Sequence, residues 1–179
     1  MTHDDEEALS RLQAKFGDGV TAPAPREKAS PTSDPWLLVE TPRLAEVARF
    51  LRNDPASVFD CLNSVTVVDY LPIDKKLAAA VGEERLEVVY HLTSLSRRKR
   101  LTLKVVTPRS VDGGLPEVPS VAGIWKTADW QECEAYDLSG VRFTGHPNLR
   151  RLLCPEDWEG HPLRKDYAMP LEYHGIRGR

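Results

Sequence analysis

No stretch of this 179-residue sequence approaches the roughly 20 consecutive apolar residues that cross a bilayer. Its opening, Asp4-Asp5-Glu6-Glu7, is acidic where a secretory leader would be cationic. The expectation is a chain that stays on the side of the membrane where it is made and meets lipid only through other proteins. Cysteine is scarce: Cys61, Cys133 and Cys154 are odd in number, widely spaced and without a CxxC pair. That speaks against a disulfide framework and against the four thiolates an iron–sulfur cluster usually takes. Neither GxGxxG nor Walker spacing is present, so Asp112-Gly113-Gly114 reads as a loop, not a phosphate cradle. Cationic excess is lacking too. A formal charge of -3 and a pI near 6.0 give no pull toward nucleic acid or an anionic membrane. The run Arg97-Arg98-Lys99-Arg100 is read as a solvated hairpin tip.

What is present fits a globular domain, with 41% hydrophobic and 28% charged residues in a length that suits one core plus tails. Leu9, Leu12 and Phe16 share a face of a short helix from about Asp4 to Phe16. From Gly17 to Pro35 proline, alanine and serine dominate, the composition of a linker. Residues 1–35 are therefore expected to form a flexible extension. Residues 36–140 hold the patterned part. Trp36 to Glu40 reads as a strand, Thr41 and Pro42 open a helix carrying Leu44, Val47, Ala48 and Leu51, and Ser64 to Val68 forms a strand. Leu86, Val88, Tyr90 and Leu92, then Leu101, Leu103 and Val105, alternate with polar neighbours as two antiparallel strands buried on one face. Asp129 is expected to cap a last helix that Gly140 ends in a left-handed position.

Residues 141–179 change character. Four X-Pro steps, at His146-Pro147, Cys154-Pro155, His161-Pro162 and Met169-Pro170, bias the backbone toward extension. Yet the segment carries Phe143, Leu149, Leu152, Leu153, Trp158, Leu163 and Tyr167 interleaved with arginines, too much apolar surface for a disordered tail. The expectation is an arm that does not fold by itself and is covered by a partner.

The runs Glu132-Cys133-Glu134-Ala135-Tyr136-Asp137-Leu138, Gly145-His146-Pro147, Arg150-Arg151-Leu152-Leu153 and Asp157 through Tyr167 closely resemble the signature of the 30-kDa or C subunit of respiratory complex I, the proton-translocating NADH:quinone oxidoreductase. The resemblance implies an α+β fold, a two-layer domain with a partly antiparallel sheet packed on helices and followed by an extended C-terminal arm. It implies a peripheral location on the cytoplasmic side of the inner membrane, and an arm lying along the quinone-site D (49-kDa) subunit, with the B and I subunits as further neighbours. It also implies no catalytic residue, no flavin and no cluster in this subunit, whose enzyme activity would belong to the complex. The chain departs from the family pattern at Cys133, where arginine is usual, and at Ser139, where an apolar residue is. Arg142 or Arg150 is then expected to pair with Glu132 or Glu134.

The candidate partner-binding set is Glu132, Glu134, Asp137, Arg142, His146, Arg150, Arg151, Trp158, His161, Arg164, Lys165, Asp166 and Tyr167. Catalytic, cofactor and metal residues are expected to be none. Two other readings stand beside this one. The first is the equivalent subunit of a membrane-bound hydrogenase or deazaflavin-dependent dehydrogenase. The second is a stand-alone metal-dependent hydrolase using Glu134 and Asp137, on one helix face, with His146, His161 and His174, which lacks a nucleophile–base motif.

Overall fold

In the computed structural model, which describes residues 3–22, 36–72 and 83–177, five strands share one sheet in the order β1-β2-β5-β4-β3. They are β1 (Val20–Thr21), β2 (Trp36–Val39), β3 (Cys61–Tyr70), β4 (Arg85–Ser94) and β5 (Lys99–Thr107). β4 and β5 form the expected antiparallel pair, β3 extends it to a meander by pairing with β4, and β2 joins β5 as a parallel neighbour. The alternation in β4 and β5 places Leu86, Val88, Tyr90, Leu92, Leu101, Leu103 and Val105 in the core, because side chains two apart point to the same face. Helix α2 (Leu44–Asn53) adds Leu44, Val47, Ala48 and Leu51 to it. Before it, Thr41–Arg43 is a 3₁₀ turn in which Thr41 caps nothing and donates its hydroxyl to the Val106 carbonyl at 3.4 Å.

The boundary drawn at residue 35 does not follow the packing. Helix α1 (His3–Phe16) buries Leu12 completely, and Val20 of β1 is likewise buried in the main core. Arg11 pairs with the buried Asp54 at 2.7 Å. The helix is legible as amphipathic, but its partner lies far along the chain. The linker residues 23–35 lie outside the described residues.

Helix α3 (Ala128–Ser139) connects two parallel strands, β6 (Glu117–Pro119) and β7 (Arg142–Thr144). It lies against the edge strand β3 and closes that edge with side chains. Gln131 accepts the Val65 N–H at 2.6 Å and donates to the Asn63 carbonyl at 3.3 Å, and Thr127 donates to the Leu62 carbonyl at 2.9 Å. The backbone edge is thereby occupied between Leu62 and Val65, where a foreign strand would otherwise pair. α3 starts without a side-chain cap, so Asp129 does not play the role expected of it. Gly140 does end the helix in the left-handed region, at φ 69°.

Candidate partner-binding arm and the carboxylates beneath it

The arm begins inside the domain. Val141 and Phe143 belong to the core, since β7 pairs with β6 directly after the Gly140 turn. Residues from about 146 onward then run back over α3, which carries two fully buried carboxylates; Asp137 receives the arm, and Glu132 holds the segment before the helix.

Asp137 is the tighter anchor. Its Oδ2 accepts the successive backbone N–H groups of Leu152, Leu153 and Cys154 at 3.0, 2.8 and 2.9 Å. Its Oδ1 meets Arg151 at 2.7 Å, and Arg151 also donates to the Gly160 carbonyl at 3.0 Å. Consecutive N–H groups converging on one oxygen form an anion nest. Burial alone would raise this carboxyl, but three N–H donors and a guanidinium outweigh it and hold Asp137 at about 2. The X-Pro steps keep this stretch out of regular structure. Asp137 replaces the missing backbone partners.

Glu132 is also fully buried, and its partners are local. Ser120 donates its hydroxyl at 2.6 Å and Val121 its N–H at 2.7 Å. Neither Arg142 nor Arg150 reaches it, contrary to expectation. Arg142 is exposed 3.8 Å from Glu117, and Arg150 lies over the Trp130 ring. With two donors, no arginine or lysine in contact and His146 Nε2 no nearer than 3.9 Å, burial prevails and pushes Glu132 up to about 7.

His146, Asp129 and Cys133 bring one potential ligand atom each within 4.8 Å of one another, the one such group among the described residues. The Asn148 N–H donates to His146 Nδ1 at 3.0 Å, which leaves the ring proton on Nε2, 3.0 Å from the Asp129 carbonyl. As folded, the nitrogen facing Asp129 and Cys133 is a donor and offers no lone pair to a metal. The other two histidines lie elsewhere: His161 bonds the Asp137 carbonyl at 2.8 Å, and His174 bonds Asp157 at 2.7 Å. Glu134 is exposed while Asp137 is buried, so the pair does not share one environment for acid–base chemistry.

The remaining candidates also close the arm onto its own chain. Arg164 donates to the carbonyls of Ser139, Gly140 and Arg109, satisfying the end of α3. Gly140 admits no side chain, because a Cβ there would collide with the His161 ring. Arg109, whose role no sequence pattern signals, grips Asp69 and Asp166 bidentately, with contacts of 2.6–3.0 Å, and Asp69 also accepts the Lys165 N–H at 2.9 Å. Tyr167 donates its hydroxyl to the Glu159 carbonyl, and Trp158 packs against Tyr173. Glu132, Asp137, His146, Arg151 and Arg164 thus have their polar groups occupied within the chain. The outer side of the arm is different, since Leu153, Leu163, Met169, Leu171 and Ile176 are each 63–78% exposed.

The class the fold defines is a two-layer α+β domain that lashes its own C-terminal arm in place and leaves apolar side chains of that arm exposed. Its family is specific. The chain belongs to the family described as "Respiratory-chain NADH dehydrogenase, 30 Kd subunit", whose model matches residues 37–173. It is 42% identical over 172 residues to the C subunit of NADH-quinone oxidoreductase from Roseiflexus sp. (strain RS-1), covering 96% of this chain and 88% of that protein. Against the same-named protein of Chlorobium phaeobacteroides it is 40% identical, covering 99% and 98%. A longer relative from Salinispora arenicola is 46% identical, and there the match covers 94% of this chain and 63% of that protein. Among solved structures, a chain of an archaeal membrane-bound sulfane sulfur reductase matches with TM-score 0.67 at 23% identity, covering 93% of this chain and 87% of that one, a likeness of fold. No helix among the described residues is long and apolar enough to cross a membrane.

Proposed function

We propose that the chain is a structural and assembly subunit of the peripheral arm of NADH:quinone oxidoreductase, supporting NADH-to-quinone electron transfer coupled to proton translocation. It contributes no catalytic residue, flavin or iron–sulfur cluster of its own. Its arm lies along the quinone-site D (49-kDa) subunit, with the B and I subunits as further neighbours, and it is held at the cytoplasmic face of the inner membrane through these partners. The observation that carries the reading is the two-sidedness of the arm: polar groups fixed from beneath by Asp137 and Arg109, apolar side chains turned outward. Such an edge is organised before its partner arrives, which lowers the ordering cost of association. The test is affinity purification of the tagged chain from its own membranes. Recovery of the D, B and I subunits is expected, and an alkaline wash that strips those partners should release the chain from lipid. Capture without any of them would refute the reading.

A further inference from the structure

We infer that the cleft at the end of the arm receives one cationic side chain, a guanidinium carried by the neighbouring protein along which the arm lies. This rests on the assembly reading above and names what the arm's tip recognises.

The cleft is about 580 Å³ and is walled by Trp158, Tyr167 and Tyr173, with Glu159 and Glu172 exposed at its lining. Its walls are fixed. Trp158 and Tyr173 pack at 5.1 Å between centroids. Tyr173 donates its hydroxyl to Asp157 at 2.8 Å, and His174 bonds the other Asp157 oxygen, which closes the short hairpin of β8 (Glu172–Tyr173) and β9 (Ile176–Arg177) onto the arm. The hairpin turn has positive φ at His174 and Gly175, the geometry that two-residue hairpins favour. Tyr167 lies so close over Gly160 that a Cβ there would come within 2.8 Å of its ring.

Two observations choose the occupant. Neither Glu159 nor Glu172 has an ion-pair partner among the described residues, whereas Glu87, Asp69, Asp137 and Asp166 each have one. Among the described residues, no lysine or arginine lies over the rings of the cleft either. Elsewhere Phe16 and Phe50 lie under Lys15, Tyr70 under Arg85, Trp36 under Lys104 and Trp130 under Arg150. Aromatic faces with carboxylates beside them attract a cation, and a planar guanidinium both stacks and donates. An apolar side chain would leave the carboxylates desolvated and unpaired, and an anion would be repelled.

The test uses the full chain and follows the Trp158 indole N–H by NMR, assigned by its loss in Trp158→Phe, while N-acetyl-arginine amide is added. A saturable shift is expected, at least about five-fold weaker with the neutral isostere N-acetyl-citrulline amide, as a cation-dependent site requires. The shift should be lost in the Glu159→Gln/Glu172→Gln variant. That variant, tagged and purified from membranes, should recover its partner subunits several-fold less well than wild type. No saturable shift, or an equal one with the citrulline derivative, overturns the inference. Wild-type recovery by the double variant does so as well, and leaves the assembly reading standing. If the wild-type tagged chain captures no partner, the assembly reading fails, while the titration still decides whether the cleft takes a cation.

Discussion

Glu132 and Asp137 stand five residues apart on α3, both without exposed surface, and the protein treats them oppositely. Glu132 holds the segment at Ser120 and Val121 and is pushed up to about 7; Asp137 holds the arm and is kept at about 2. Burial is common to both. The difference is three converging N–H groups and a guanidinium against one N–H and one hydroxyl. A buried carboxylate follows the donors fixed around it, and the donor-rich end of the helix is the end that holds the arm.

The largest effect is expected from Asp137→Ala. It leaves Arg151 and three backbone N–H groups without their acceptor, and removing one partner of a buried charged network costs about 3–5 kcal/mol. Urea unfolding of the isolated chain measures this. A loss under about 1 kcal/mol would mean that the arm is not fastened there.

The next effect depends on pH, with opposite signs at the two carboxylates. Glu132 is raised above its ordinary value of 4.5, so its contribution is fully present below that pH and is lost as pH rises through about 7. Across that window wild type should lose about 3 kcal/mol relative to Glu132→Gln. Asp137 is depressed below 3.8, so its contribution is present above that value and is lost as pH falls through about 2. Roughly 2 kcal/mol should disappear relative to Asp137→Asn over that acid range. Parallel pH profiles for the two variants would abolish the contrast.

Arg109→Gln should cost less, about 2 kcal/mol, because Asp69 retains the Lys165 N–H and Asp166 is half exposed and can be hydrated. Chemical denaturation at neutral pH checks it. A cost equal to that of Asp137→Ala would make Arg109 the main anchor.

How far the sequence shows these features depends on distance along the chain. β4 and β5 are legible because the alternation of Leu86 to Leu92 and Leu101 to Val105 is local, and so is the left-handed Gly140. The α+β class and the family are legible from dense motifs. The arm is not, because its X-Pro steps argue against folding while the groups that replace its backbone partners lie elsewhere. Asp137 is 15–17 residues from the N–H groups it collects, and Arg109 is 40 and 57 residues from Asp69 and Asp166. Such pairs leave no periodic trace. Ser120 and Val121 stay hidden for a related reason: a neutral hydroxyl and an amide announce nothing, whereas Arg142 and Arg150 suggest ion pairs that do not form.

The smallest effect on stability is expected on the outer side of the arm. Leu153 and Leu163 are 66% and 63% exposed, so the isolated fold gains little from them, although their neighbours are firmly held. The Leu153 N–H bonds Asp137 and the Leu163 N–H bonds the Leu138 carbonyl, and a serine would keep both bonds. Leu153→Ser with Leu163→Ser should therefore change unfolding free energy by no more than about 0.5 kcal/mol, as for surface changes away from a structural feature. Binding should respond differently. If these side chains meet a partner, each loses roughly 1–3 kcal/mol of association when truncated at a desolvated position. Recovery of partner subunits by the tagged double variant should fall about ten-fold or more while its melting temperature stays within about 2 °C of wild type. Unchanged recovery would place the interface elsewhere. A drop in melting temperature of several degrees would show that both leucines serve the fold, and the arm would then have no outer side distinct from its inner one.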